Sequence, residues 1–562
     1  MDKKTRAFII IAVIGLVVFG GTLGIIALTQ NAGKNQSQIT EEQAIETLSR
    51  LERRINVNTL EPVKEPVDLE PTDMKDTLPD ITKYPEQVRG TTADYVEIIS
   101  STEKAGSGKD GWLVEMANRF NSSGATVNGK PVSVAVRGIA SGLACDYISS
   151  GKYLPDAFSP SNELWGDDLK AKGVEIELVE KKLTGNVAGI ALSKAKHKEL
   201  TEKYGSVSVK TVAEATAAGE LTMGYTNPFA SSTGANFLMS LLYTYDSANP
   251  MGETSAGEFM KFQANVPFVA YTTLQMKESV KSGVLDGFVF ESQQFANSPD
   301  LVSDYVFTPF GVRHDSPVYE IGKLSQDKKE ILRQFIDFCK TADAQKKAGE
   351  CGFNKHDDYK LELTGVNGTM LGQAQKLWKD KKDSNRDIIA VFVADTSGSM
   401  DGERMNNLKK SLLSGSNYID KDASIGLVTF SDEVNIAVPV GKFDINQRSL
   451  FTGAVKNMSA GGGTAMFDAI VVAERMLQDA KVNNPNAKLM LFVLTDGETN
   501  AGCTLKDTQK MIEGLKVPIY TIGYEADVSA LEAVSRINEA ANINADTEDV
   551  IYKIQSLFNA EM

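Results

Sequence analysis

Charge is absent from Ala7 to Thr29, where Ile, Val, Leu, Phe and Gly dominate. As a helix, residues 7–29 reach roughly 35 Å, the length needed to cross a bilayer core. The run is longer than the apolar part of a cleaved signal peptide, no A-x-A site follows, and no cysteine sits near its end for a lipid anchor. The pattern predicts a signal anchor over 1–29, and Lys3, Lys4 and Arg6 ahead of it place residues 30–562 outside the cytoplasm. Beyond the span, Thr40-Glu-Glu-Gln43 is a capping-box pattern continued by Ala44, Leu48 and Leu51 at helical spacing. Pro62, Pro66, Pro71, Pro79 and Pro85 then fall among charges, which predicts an extended stalk over 30–93. From 94 to 355 the pattern alternates. Tyr95–Ile99 and Val132–Val136 read as strands, and Trp112, Met116 and Phe120 share one helical face, so this stretch is an α/β unit. Residues 356–387 are polar and read as a linker with a helix near Gly372–Lys381. Apolar runs at 388–394, 424–430, 489–494 and 517–523 read as buried strands. Helical spacing of Met466, Ala469, Ile470, Ala473, Met476 and Leu477 lies between them, predicting a doubly wound, mostly parallel, Rossmann-like sheet over 388–558.

A chain of 562 residues is too long for one core. Hydrophobic content of 42% and charged content of 24% are ordinary for globular protein. The net charge of −15 excludes a general nucleic-acid binder, which needs a basic face for phosphates, and suits an ectodomain or a cation-binding protein. Four cysteines are too few for a disulfide scaffold. Cys339 and Cys351 lie close enough in sequence for one bridge, a pairing the sequence leaves open; Cys145 and Cys503 read as isolated thiols.

The chemistry that changes this picture sits at the ends of two apolar runs. Asp395-Thr-Ser397-Gly-Ser399 follows 388–394, and Thr495-Asp496-Gly-Glu498 follows 489–494, while Gly461-Gly-Gly-Thr464 lies between them. Ligands of open α/β sheets bind at the carboxyl ends of strands, so Asp395 and Asp496 are expected on one edge. Carboxylate and hydroxyl oxygens suit a hard divalent cation. With few charged ligands, such an ion stays electrophilic and keeps a position for an outside acidic group. Asp, Ser and Thr also cap helices, but capping alone does not account for three such segments together. Asp395, Ser397, Ser399, Thr464 and Asp496 resemble the DxSxS, loop-threonine and TDG elements of the von Willebrand factor type A domain and its metal-ion-dependent adhesion site. That resemblance implies Mg2+, or Mn2+ or Ca2+, completed by an Asp or Glu of a protein or envelope partner. Asp468 and Glu498 are expected around the ion rather than on it. A hydrolase fits poorly: no GxSxG surrounds Ser397, none of His197, His314 and His356 falls within 388–558, and HExxH and Walker A motifs are absent.

The middle unit carries polar turns after strand-like pieces: Ser100-Ser-Thr102, Ser141-Gly142, Ser159-Pro-Ser161-Asn162, Ser231-Ser-Thr233-Gly234 and Phe290-Glu291-Ser292. Singly each reads as a cap. In order, with Tyr225-Thr-Asn-Pro-Phe-Ala-Ser-Ser-Thr-Gly234 as the most specific stretch, they resemble the bilobed type II periplasmic solute-binding fold of sulfate- and molybdate-binding members. The resemblance implies ligand contacts from Ser100, Ser101, Ser141, Ser161, Ser231, Ser232, Thr233 and Glu291. Glu291 departs from an oxyanion site, because an unpaired carboxylate repels an anion, and so leaves open a cationic or zwitterionic ligand, or none. The whole order is similar to membrane-anchored bacterial proteins joining such a domain to a C-terminal von Willebrand A domain, with Leu371–Trp378 in their linker. The expected role is a non-enzymatic extracellular adhesion or binding protein at the cell membrane; the alternative is a transport-associated solute receptor docked through its metal domain.

Overall fold

A computed structural model gives the fold, and it describes residues 39–562 apart from 62, 69–72, 268, 271–272, 281–284, 385, 498, 525–530, 532–541 and 546–549. The expected membrane span at 7–29 and Glu498 lie outside the described residues. Among the described residues no helix is long and apolar enough to cross a membrane.

The stretch read as a stalk is folded. Helix α1 (Glu41–Glu52) opens on the predicted capping box, with Thr40 and Gln43 each bonding the other's backbone N–H. Its buried face of Ala44, Leu48 and Leu51 joins a core of the C-terminal unit, each large side chain contributing about 2 kcal/mol by leaving water. Strand β1 (Val57–Thr59) then pairs in parallel with residues 434–436, almost 380 positions away in the chain, and extends the C-terminal sheet. Residues further along this segment instead brace the middle unit: the backbone oxygens of Pro79, Tyr84 and Leu78 accept bonds from Tyr147, Arg137 and Lys152. Pro66, Pro79 and Pro85 thus lie in a strap with only short pieces of regular structure, such as the helical turn Met74–Thr77, held by contacts far off in sequence.

The middle unit contains two sheets. β2 (Glu86–Val88), β3 (Asp94–Ser100), β4 (Thr126–Val127), β5 (Lys130–Gly138), β6 (Ala157–Ser159) and β7 (Ile176–Glu180) precede a crossing into a second lobe. That lobe holds β8 (Val187–Ser193), β9 (Met223–Thr226), β10 (Val269–Ala270), β11 (Gly287–Glu291) and β12 (Tyr305–Arg313). The chain returns through β13 (Val318–Ile321), giving the orders β2-β5-β3-β6-β13-β7 and β10-β9-β11-β8-β12, with β4 paired to β5 alone. Helices α2 (Ser141–Ser149) and α3 (Ser232–Tyr245) start at the carboxyl side of these sheets, one from each lobe. Gly142 sits where they meet, since a Cβ there would lie 2.2 Å from the Phe229 carbonyl oxygen.

The segment 356–387 is not a free linker either. Helix α4 (Gly368–Lys381) buries Leu371, Ala374 and Trp378 in the middle unit's core, and Trp378 Nε1 donates to Tyr225 Oη at 2.6 Å. Asp383 just beyond it accepts from Lys382 at 2.7 Å and from Lys488 at 2.8 Å, tying the two large units. Nor are Cys339 and Cys351 bridged: all four cysteines are free and buried. Both belong to one apolar cluster, where burial raises both thiols and makes them inert packing groups.

The C-terminal unit matches its predicted pattern closely. β14 (Ile388–Asp395), β15 (Ser424–Phe430), β16 (Val434–Lys442), β17 (Lys488–Thr495), β18 (Ile519–Tyr524) and β19 (Asn542–Ala545) form a sheet of order β1-β16-β15-β14-β17-β18-β19. All pairs are parallel except β15 with β16. β14 is buried along its whole length, which is why it reads as an unbroken apolar run. Helices α5 (Glu403–Ser416), α6 (Met466–Asn483), α7 (Leu505–Leu515) and α8 (Val550–Glu561) cover the faces.

Candidate metal edge and solute cleft

β14 and β17 run in register from Ile388 against Lys488 to Ala394 against Leu494. They therefore deliver Asp395 and the Thr495-Asp496 pair to the same level of the carboxyl edge. Asp395 is fully buried; its Oδ1 accepts the Ser397 N–H at 2.7 Å and its Oδ2 accepts the Thr495 hydroxyl. Ser397 Oγ lies 3.0 Å from Ser399 Oγ, and Ser399 Oγ donates to Asp496 Oδ1 at 2.8 Å. The glycine loop is stapled beside them: the Gly398 N–H donates to Gly462 O at 3.0 Å and the Gly461 N–H to Thr396 O at 2.9 Å. Gly462 has φ of +82°, and Asp432 Oδ2 stands 2.3 Å from where its Cβ would be, so only glycine serves there. Asn500 holds the Thr464 N–H at 2.8 Å, while the Thr464 hydroxyl has no bond to any described residue.

All five predicted residues are thus in one place, and their chemistry fits a hard cation. Ligand oxygens on one edge of a Mg2+ octahedron stand about 3.0 Å apart, for metal–oxygen bonds near 2.1 Å. The Ser397–Ser399 and Ser399–Asp496 contacts, at 3.0 and 2.8 Å, already have that spacing. Burial raises the Asp395 carboxyl above its ordinary value and the nearby Asp496 charge adds to this, despite hydrogen bonds from Thr495 and Ser397. No salt bridge reaches Asp395 among the described residues. Ser399 is exposed, so the edge opens to solvent. Among the described residues no group of three or more His, Cys, Asp or Glu side chains is placed to hold a metal ion.

Arg404 joins the site without any motif to announce it. From the first turn of α5 its Nη1 donates to Asp496 Oδ2 at 2.8 Å and to Ser399 O at 3.2 Å. Asp468 accepts the Cys503 N–H at 2.8 Å and fixes the loop beyond Asp496.

The second constellation lies between the lobes of the middle unit. A cavity of about 60 Å³ is lined there by Ser101, Ser141, Ser161, Ser231, Ser232, Thr233 and Glu291, all predicted, together with Glu103 and Gln294. Ser100 is the exception: it ends β3 with its hydroxyl buried, without a partner, and away from the cavity wall. Its neighbour one position along takes the role, because successive strand residues face opposite ways.

Glu291 has hydrogen-bond donors on both oxygens, which stabilise its charge without cancelling it. Oε1 accepts from His314 Nδ1 at 2.7 Å and Thr233 Oγ1 at 2.8 Å, and Oε2 from Asn186 Nδ2 at 2.9 Å. The Asn236 amide is oriented by Val312, giving Nδ2 to its carbonyl at 2.8 Å and taking its N–H on Oδ1 at 2.9 Å. Asn236 Nδ2 also faces His314 Nε2 at 3.1 Å, so that ring nitrogen accepts and Nδ1 carries the hydrogen given to Glu291. Glu103 is matched by a fully buried Lys104, whose Nζ also reaches Ser101 Oγ and the Pro160 carbonyl. Burial alone raises Glu103, but Lys104 and the Ser101 and Ser161 hydroxyls outweigh it and leave its carboxyl below the ordinary value. Burial lowers Lys104, and Glu103 only partly restores it. His314 comes from a loop beyond β12, and Lys104 lies beside Glu103 on the helical turn Thr102–Ala105; no spacing announced either.

Comparison with known proteins finds a matching family model for each of the two regions. The von Willebrand factor type A domain model matches residues 390–559, and the bacterial extracellular solute-binding protein model matches residues 105–354. The chain is 29% identical over 195 residues to inter-alpha-trypsin inhibitor heavy chain H1 of Mesocricetus auratus, covering 32% of this chain and 21% of that one. It is 26% identical over 181 residues to the human collagen alpha-5(VI) chain, covering 31% and 7%. Similar solved structures include a von Willebrand factor type A protein from Catenulispora acidiphila, 20% identical, covering 31% of this chain and 42% of that one with a TM-score of 0.28. The sulfate-binding protein SubI from Mycobacterium tuberculosis is 13% identical, covering 47% and 88% with a TM-score of 0.35.

Proposed function

We propose that this chain is a non-enzymatic binding protein of the outer cell surface, anchored by residues 7–29, which captures an acidic group of a protein or envelope partner at its metal edge. Asp395, Ser397, Ser399, Thr464 and Asp496 would hold the ion. A divalent cation there supplies a Lewis-acidic position for an outside carboxylate. The protein's own part is to orient the hydroxyls, keep Asp395 dry and leave the Ser399 side open. The observation that carries the reading is the three-oxygen run Ser397–Ser399–Asp496 at 3.0 and 2.8 Å beside a buried carboxylate with no cation of its own. The match to the von Willebrand factor type A model supports it.

Titration of the full chain with Mn2+, followed by electron paramagnetic resonance, tests the site. The expected result is one bound ion, lost in Asp395→Ala with the circular dichroism spectrum unchanged. Chelator-sensitive capture of an acidic partner from native membranes should vanish in the same variant. Undiminished capture by a correctly folded Asp395→Ala protein sinks the proposal.

A second reading is favoured by the enclosed cleft: a transport-associated receptor in which solute capture is primary and the metal edge only docks it. The match of residues 105–354 to the solute-binding model supports that cleft as a ligand site.

A further inference from the structure

The hydroxyls around the cleft are not equivalent, and their hydrogen-bond directions sort them into two walls. Ser141 Oγ accepts the Ser161 N–H at 3.4 Å, Ser231 Oγ accepts from Thr226 Oγ1 at 2.9 Å, and Ser232 Oγ accepts from Trp165 Nε1 at 2.8 Å. None of these three donates to any described residue, so each has a hydrogen left to give. Ser141 and Ser232 are also the first residues of α2 and α3, neither of which has a side-chain cap. Uncapped starts occur elsewhere too, as in α5 and α6, but these two border the cavity. Two helix N-termini and three spare hydroxyl hydrogens make one side of the cavity a donor wall.

The opposite character comes from Glu103. Its side chain is 9% exposed, and Ser101 Oγ, Ser161 Oγ and Lys104 Nζ all converge on Oε1, Ser161 at 3.0 Å and Lys104 at 3.5 Å. Oε2 receives no bond from another described residue. Gln294, also on the cavity wall, has a buried Oε1 with no partner. These are acceptors without donors. Lys104 offsets Glu103, while Glu291 keeps a charge that the neutral His314, Thr233 and Asn186 stabilise by hydrogen bonds. Asp110 and Lys277 stand behind this set and oppose each other. A dianion would meet two carboxylates, whereas a bare cation would leave the donor wall unused.

We propose that this cleft takes a compact zwitterion of the amino-acid class. Its carboxylate meets Ser141, Ser231, Ser232 and the two helix starts, and its ammonium meets Glu103 Oε2 and Gln294 Oε1. The proposal rests on the middle unit being a solute receptor, and it adds the class of solute. Size agrees. The cavity of about 60 Å³ is lined without an aromatic side chain, so the ligand is small and has no large apolar part.

Calorimetric titration of the full chain with glycine and L-serine, and in parallel with sulfate, molybdate and methylamine, decides the matter. Saturable heat with the two amino acids and none with the other three is expected. Glu103→Gln should weaken glycine binding by about ten- to a hundredfold, the usual cost of losing a charged hydrogen bond. Should that variant misfold, Gln294→Leu, which touches no buried charge, should still weaken it by about fivefold. Heat from sulfate or molybdate with silence from the amino acids overturns the zwitterion and leaves a receptor. Methylamine binding as tightly as glycine also overturns it, because the donor wall would then be idle. Silence from all five removes the zwitterion proposal and the receptor reading together, and leaves the metal edge standing on its Mn2+ titration.

Discussion

The metal edge and the solute cleft are built from the same materials, serine hydroxyls and carboxylates at the carboxyl ends of strands, yet they are completed in opposite ways. In the cleft each buried carboxylate has its counterpart inside the protein: Lys104 for Glu103, and His314 with Thr233 and Asn186 for Glu291. At the edge, Asp395 is fully buried with hydrogen bonds but no cation, and the nearby Asp496 charge works against its ionisation. A site finished from within suits a ligand of no net charge. A site left short of positive charge suits an ion from outside. The lesson is that the number of carboxylates says little until their internal partners are counted.

The largest expected effect comes from breaking each arrangement in turn. Lys104→Met leaves Glu103 buried without its cation and should cost about 3–5 kcal/mol in the middle unit, the usual penalty for halving a buried pair. Asp395→Asn, by contrast, removes a charge that nothing balances, so the chelated protein should be no less stable than the parent. Differential scanning calorimetry in EDTA, following the separate transitions of the two units, reads both changes. With Mg2+ added, only the parent should gain stability, because a ligand for the folded state raises its melting temperature. A large loss from Asp395→Asn in EDTA would show that the edge is balanced internally after all.

How much of this was legible in the sequence follows from the same contrast. Asp395 and Asp496 were visible because β14 and β17 are buried on both faces and so read as unbroken apolar runs with a carboxylate at the end. Ser231–Thr233 were visible as a polar turn between β9 and α3. His314 and Arg404 were not, since each pairs with a residue whose proximity is set by tertiary structure, and Lys104, though next to Glu103 in the chain, reads as an ordinary solvent-facing charge until its burial is known. The strap over 41–65 was misread for a related reason. β1 has three residues and its partner lies almost 380 positions away, so no local pattern marks it as a strand. Its helix was legible, but the unit it covers was not. Ser100 shows the limit at one-residue resolution: the strand's end was placed correctly, and the side chain that faces the cleft is the next one.

A third buried carboxyl sharpens the comparison with a moderate expected effect. Glu474 on α6 is fully buried without a well-formed hydrogen bond, and the Gln478 side chain one turn on only partly eases its charge. With neither an internal cation nor an opening for an ion, it resolves its charge by keeping its proton, and burial pushes it up to about 8. Folded, it stays protonated to about pH 8; unfolded, it ionises near the ordinary value of 4.5. Its contribution is therefore fully present below pH 4.5, declines as pH rises through that window, and is lost beyond about 8. Glu474→Met should flatten this slope and stabilise the C-terminal unit by about 1–3 kcal/mol at pH 8, the usual gain from removing an unsatisfied buried polar group. Melting curves of parent and variant at pH 5 and pH 8 supply the check. Parallel curves would mean that Glu474 has a partner the packing does not reveal.

The smallest effect is expected at Arg404, where the edge borrows a little positive charge from its surroundings. Its guanidinium holds Asp496 Oδ2 at 2.8 Å, but its side chain is 35% exposed, so water screens the pair. An ion drawing on Asp496 competes with this contact for the same carboxylate. Arg404→Ala should therefore tighten Mn2+ binding by about two- to fivefold, in keeping with the modest worth of a surface ion pair. Arg404→Lys keeps the charge but loses the planar guanidinium whose Nη1 reaches both Asp496 and Ser399, and should fall between. Raising the salt concentration ought to shrink the difference between parent and Arg404→Ala, since screening does the work of the mutation. Weaker Mn2+ binding in Arg404→Ala would mean instead that the guanidinium positions Asp496 for the ion, and the edge would then be less open to outside charge than the cleft comparison requires.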